Sequence, residues 1–75
     1  MTDLAGFSGK EVIKYLEKIG YRIVRQRGSH IRLKHTEILL HKPITVPLHR
    51  ELKVGLLRQI LKDAGIEIKH FIDHV

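Results

Sequence analysis

The spacing of apolar residues switches from helical to extended at Gly20. That switch restricts the chain to folds that lay a helix against a hairpin. Ser8 followed by Glu11 is a capping box, with Phe7 and Val12 at the N′ and N4 positions of a hydrophobic staple. Val12, Ile13, Leu16 and Ile19 recur at helical spacing and form one apolar stripe, while Lys14, Glu17 and Lys18 fall mostly elsewhere on the cylinder. Gly20 stops the helix as the residue free to turn left-handed. Beyond it, residues 21–26 read as a strand with Ile23 and Val24 at its centre, and Arg27, Gly28 and Ser29 supply a turn. Residues 30–34 alternate strictly: Ile31 and Leu33 point one way, and His30, Arg32 and Lys34 point the other.

The remainder completes a layered pattern. Ile38, Leu39 and Leu40 form an apolar run of unassigned structure. Ile44, Thr45 and Val46 make a third short strand closed by Pro47. A second helix is expected over residues 52–64, its stripe made by Val54, Leu57, Leu61 and Ala64, widened by Leu56 and Ile60 and ended by Gly65. A last short helix is expected over residues 67–74, with Ile68, Phe71, Ile72 and Val75 at i, i+3, i+4 and i+7. The expected class is α+β: an α-β-β-β-α sandwich, with a three-stranded antiparallel sheet, helices on one face and a short extra C-terminal helix. One sheet face is then buried and the other wet.

Size and composition fit a single domain over residues 1–75. A chain of 75 residues buries only roughly 60–65% of its unfolded surface, enough for one small core. With no cysteine there are no disulfides, no thiolate metal site and no cysteine nucleophile. Residues 1–6 lack the apolar run of a signal peptide, and no stretch approaches the ~20 apolar residues of a membrane span. A cytoplasmic protein without membrane attachment is expected. His35, His41, His49 and His30 lack the tight spacing of a zinc site, so no metal is expected, and His70 and His74 suit the C-terminal dipole of the last helix.

Charge is the functional signal. The net charge is +6, and residues 21–35 hold five of those charges, as Arg22, Arg25, Arg27, Arg32 and Lys34, with no acid among them. A field concentrated in one hairpin suits a polyanion, nucleic acid first. If all five contact single-stranded RNA phosphates, the log–log salt slope is about −3.5. The chain has only four aromatic residues, and packing claims Phe7 and Phe71, so reading by stacked bases is not expected. His30 shares its strand face with two of these cations. Imidazole titrates near ~6.5 and so both takes and gives protons at neutral pH. The 2′-hydroxyl of RNA is a built-in nucleophile that needs only a base, a phosphate clamp and an acid. His49 is a second candidate, which the sequence does not place relative to His30. Gly55, in or near the first turn of the second helix and beside Lys53, offers backbone N–H groups to an anion.

The order of elements resembles the double-stranded RNA-binding domain. The residues more narrowly resemble the HicA family of mRNA interferase toxins (YcfA-like proteins). Ser8-Gly9-Lys10-Glu11-Val12 ending in Gly20-Tyr21, the turn Gly28-Ser29-His30, Val46-Pro47-Leu48-His49, Glu51-Leu52-Lys53-Val54-Gly55 and Leu57 to Ile66 carry the match, in order, over about residues 4–72. The resemblance implies a toxin of a type II toxin–antitoxin system. It would be a metal- and cofactor-independent endoribonuclease that cleaves mRNA with one catalytic histidine, here His30, and is silenced by a HicB-like antitoxin. On this reading Lys10, Arg22, Arg25, Arg27, Gly28, Ser29, Arg32, Lys34 and Lys53 are the residues expected to hold RNA. The family commonly has threonine after the glycine matching Gly55. Leu56 stands there in this chain, so no hydroxyl is available to a phosphate. The competing readings are a non-catalytic RNA-binding module of the same fold and a protein-docking domain whose wet face meets an antitoxin-like partner.

Overall fold

A computed structural model describes residues 4–37 and 41–75. The order is α1 (Gly9–Lys18), β1 (Tyr21–Arg27), β2 (His30–His35), β3 (Ile44–Pro47), α2 (Val54–Asp63) and α3 (Ile68–His74). The strands form one antiparallel sheet in the order β1-β2-β3, with β2 central. This is the expected α+β arrangement, ending α-α. The run Ile38, Leu39 and Leu40, left unassigned by sequence, lies outside the described residues.

The capping box forms as the sequence requires. The Glu11 N–H donates to Ser8 Oγ at 3.1 Å and the Ser8 N–H to Glu11 Oε1 at 3.0 Å, satisfying two end groups that a helix otherwise leaves bare. Phe7 packs against the core and stands edge-on to Phe71, with ring centroids 4.9 Å apart. Gly28 has φ +59° and Ser29 has no positive φ, so the two-residue hairpin loop is the II′ type, whose first position favours glycine. The Gln26 side-chain amide donates to the Gly28 carbonyl at 3.0 Å and fastens the loop.

Val12, Ile13, Tyr15 and Leu16 of α1, Tyr21 at the start of β1, Ile31 and Leu33 of β2, Ile44 and Val46 of β3, and Leu57, Ile60, Leu61, Ala64 and Phe71 of the C-terminal helices are all buried. Leu4 and Leu52 join them. The parity read from residues 30–34 holds, with Ile31 and Leu33 in the core and His30 and Lys34 exposed. Several expectations need correction. Ile23 and Val24 are 48% and 52% exposed, because β1 is an edge strand beyond the reach of α2 and α3. The second helix starts at Val54 rather than residue 52; Leu52 is buried ahead of it, while Val54 and Leu56 are each 38% exposed. In α3 only Phe71 is fully buried, since a helix of seven residues at the edge of a small core has room to insert one large side chain. Tyr15 and Tyr21, outside the aliphatic stripe, prove to be core residues.

Candidate nucleic-acid interface

A β-bulge decides the geometry of the basic face. Pairing runs Arg22 with Lys34 and Ile23 with Leu33, then resumes at Arg25 with Arg32, Gln26 with Ile31 and Arg27 with His30, leaving Val24 as the extra residue. Strict alternation along β1 would put Arg25 and Arg27 on the same side as buried Tyr21. The bulge resets the parity, as an extra residue must. Directly opposed residues share a face, so Arg25, Arg27, His30, Arg32 and Lys34 stand together on the open side of the sheet. Val24, Arg25, Arg32 and Lys34 line a shallow cleft of about 340 Å³ there. Arg32 is half-buried and donates to Thr45 Oγ1 at 3.0 Å, which holds its guanidinium across β2 and β3. No ion pair with an acid is seen on this face among the described residues.

The remaining candidates are placed differently. Arg22 pairs with Lys34 in the ladder, yet its guanidinium turns back to donate to the carbonyls of Glu17, at 3.0 Å, and Tyr21, at 2.8 Å. It neutralises the C-terminal end of α1 and is the least available of the five hairpin cations. Lys10 lies on α1, on the other side of the sheet. It rims an apolar groove of about 460 Å³ formed by Ile13, Ile23, Ile31 and Leu48, with Lys14 and Glu17 beside it. Lys53 is the N-cap residue of α2 and makes no side-chain capping bond; no acid stands in that first turn, and the space around Gly55 is open.

His30 is the first residue of β2, exposed, with Arg27 opposite it on β1 and Pro47 opposite it on β3. The ladder continues one bond further, from the Leu48 N–H to the Ser29 carbonyl at 2.7 Å. His30 and Pro47 are therefore a non-hydrogen-bonded pair, and on the edge strand β3 the N–H that proline lacks would have pointed away from β2. The segment then docks on α1: the Gly9 N–H donates to the His49 carbonyl at 2.9 Å, and the Leu52 N–H to the Phe7 carbonyl at 2.8 Å. Gly9 touches this segment so closely that a Cβ would stand 1.9 Å from the Pro47 carbonyl oxygen. Sequence reading missed this role; the only signal was a glycine inside the first turn of a well-capped helix, where alanine is otherwise favoured.

His35, His41, His70 and His74 serve structure. His35 ends β2 facing the helices; its Nε2 donates to the Ile19 carbonyl at 2.9 Å, its Nδ1 accepts from the Glu37 N–H at 3.2 Å, and its ring packs on Tyr21 and His41. His70 Nδ1 bonds the Tyr15 hydroxyl at 2.6 Å, tying α3 to α1. His74 Nδ1 donates to the His70 carbonyl at 2.9 Å, near the helix end expected to attract it. Burial pushes the Tyr15 phenol up from its ordinary range. It does the same to Tyr21, where Asp63 adds to the effect, so both are neutral hydrogen-bonded core groups. Among the described residues no three His, Cys, Asp or Glu side chains converge on a metal position, and no helix is long and apolar enough to cross a membrane. With Phe7, Tyr15, Tyr21 and Phe71 all packed in or against the core, no aromatic ring is offered on the open face.

Comparison with known proteins gives one result. No curated relative matches the chain. A family model described as the HicA toxin of bacterial toxin-antitoxin matches residues 9–66, which span α1, the whole sheet, the loop docked on Gly9 and α2. The match covers most of the chain and all the elements that surround His30, and the chain belongs to the HicA toxin family.

Proposed function

We propose that this HicA toxin is an endoribonuclease that cleaves mRNA at the open face of its sheet, with His30 as its catalytic residue. The observation that carries this reading is the bulge-set register, which puts one exposed imidazole in a row of cations with Arg27 directly opposite. Arg25, Arg27 and Lys34 hold the phosphate run, and Arg32, fixed by Thr45, offers planar donors to a phosphate oxygen. His30 removes the 2′-hydroxyl proton. The 2′-oxygen attacks phosphorus, the bond to the 5′-oxygen breaks and that oxygen takes up a proton, and the products are a 2′,3′-cyclic phosphate and a 5′-hydroxyl. Because the nucleophile belongs to the substrate, DNA is not cleaved and the chain needs no nucleophile or metal of its own. The shape of the face, cationic and without exposed aromatic rings, favours backbone contact and weak sequence preference.

Membership of the family implies a cognate antitoxin. An acidic HicB-like antitoxin surface laid over the same face would silence the toxin by charge complementarity and by covering His30.

His30→Ala is the decisive variant. Turnover of a single-stranded RNA should fall by about 10²–10⁴-fold while affinity and thermal unfolding stay close to the parent. Cleavage at the parental rate would remove His30 from the mechanism. Tight RNA binding with no cleavage by the parent protein would leave the non-catalytic RNA-binding module.

A further inference from the structure

We propose that His49 is the second proton-transfer group of this site, the general acid that protonates the leaving 5′-oxygen. The inference rests on the nuclease reading above and adds a residue to it. Transesterification needs a proton taken from the 2′-oxygen and a proton given to the 5′-oxygen. One imidazole supplies the first, and no carboxylic acid stands on the open face among the described residues.

The strand register supplies the second. His30 pairs with Pro47, and the Leu48 N–H reaches the Ser29 carbonyl at 2.7 Å, so the extended pairing runs past the end of β3. Leu48 lines the groove on the helix side with Ile23 and Ile31. β3 itself ends at Pro47, which is buried; carrying its alternation one residue past the Leu48 bond turns the exposed His49 to the side of His30. A diagonal pair of this kind has Cβ atoms roughly 7 Å apart, a span that two imidazoles close around one phosphodiester. The His49 backbone is held by its carbonyl's bond to the Gly9 N–H at 2.9 Å, and its side chain is exposed. The close approach of Gly9 to Pro47 therefore fixes the base of the second imidazole as well as the seat of the helix. In the balanced step the 2′-O–H proton passes to His30 as the P–O2′ bond forms. The P–O5′ bond breaks and its oxygen takes a proton from His49. Water then carries a proton away from His30 and delivers one to His49, restoring both to their starting states.

The test compares two substrates with the full-length protein. On an RNA oligonucleotide, His49→Gln should lower kcat by about 10²–10³-fold with KM little changed, and the pH–rate profile should lose its alkaline limb. On a uridine 3′-(4-nitrophenyl phosphate) substrate, whose leaving group departs without a proton, the same variant should come within about tenfold of the parent, whereas His30→Ala stays defective on both. Circular dichroism and thermal unfolding check that His49→Gln is folded. Equal losses on both substrates by a folded variant, or full activity on RNA with both pH limbs intact, overturn the role of His49 even if His30→Ala is inactive. Full activity of His30→Ala on RNA overturns the nuclease site itself.

Discussion

Gly9 shows how one missing side chain positions a site. An alanine there would improve helix propensity by up to about 1 kcal/mol, but its Cβ would meet the Pro47 carbonyl at 1.9 Å, and that neighbour is backbone. Gly9→Ala should therefore destabilise by about 1–3 kcal/mol in denaturant unfolding, because overpacking against a fixed backbone outweighs propensity. It should also lower cleavage through the displaced 47–49 segment. An unchanged denaturation midpoint would show that α1 is free to move away. Arg25 makes the opposite bargain. It stands directly across from Arg32, a like-charge pairing that costs about 0.2–1 kcal/mol. Arg25→Thr should raise stability by that amount and weaken RNA binding, the balance expected of a surface kept for a polyanion.

At the scale of elements, the hairpin β1–β2 carries the chemistry and the helices carry the fold. Seven residues of β1 face six of β2, and Val24 absorbs the difference. Deleting Val24 would leave a regular ladder in which Arg25 and Arg27 still face Arg32 and His30. That deletion should preserve RNA binding, measured by fluorescence anisotropy, whereas a reversal of faces would abolish it. The edge position of β1 also explains why its centre is not core: Ile23 looks into a groove with α1 rather than into a closed interior. The turn is closed by Gly28 and fastened by Gln26, so the first residue of β2 is held on the stiff end of the hairpin, where a catalytic side chain needs to be.

For the whole molecule, the thin 17 Å dimension reflects one helix layer on one sheet with its outer face bare. Arg25, Arg27, Arg32 and Lys34 face outward, while Arg22 is turned to the carbonyls of α1. The salt slope for single-stranded RNA is therefore expected at about −2.8 rather than the −3.5 of five contacts, which is roughly a 50-fold loss of affinity between 50 and 200 mM salt. A flat response would exclude this face as the docking surface. The buried phenols set an alkaline limit. Both are held above their ordinary value of 10.0, so above that pH the unfolded chain has lost protons that the folded one retains. Stability is unaffected below that range and declines as pH rises through it. Urea unfolding between pH 9 and 11 should show that decline, and a Tyr15→Phe, Tyr21→Phe double variant should flatten it.

The residue pattern by itself determined the local structure: the capped first helix, the glycine turn, the parity of residues 30–34 and the concentration of charge in one hairpin. Each of these follows from interactions spanning a few residues, which a linear pattern records. Only the tertiary structure decided which cations share a face, that Arg22 leaves them, that Tyr15 and Tyr21 are core, and that the 47–49 segment lies between His30 and Gly9. Those outcomes depend on a bulge, on an edge strand and on backbone contacts between residues some 40 positions apart in the chain (Gly9 with His49), and no short-range periodicity encodes contacts of that range.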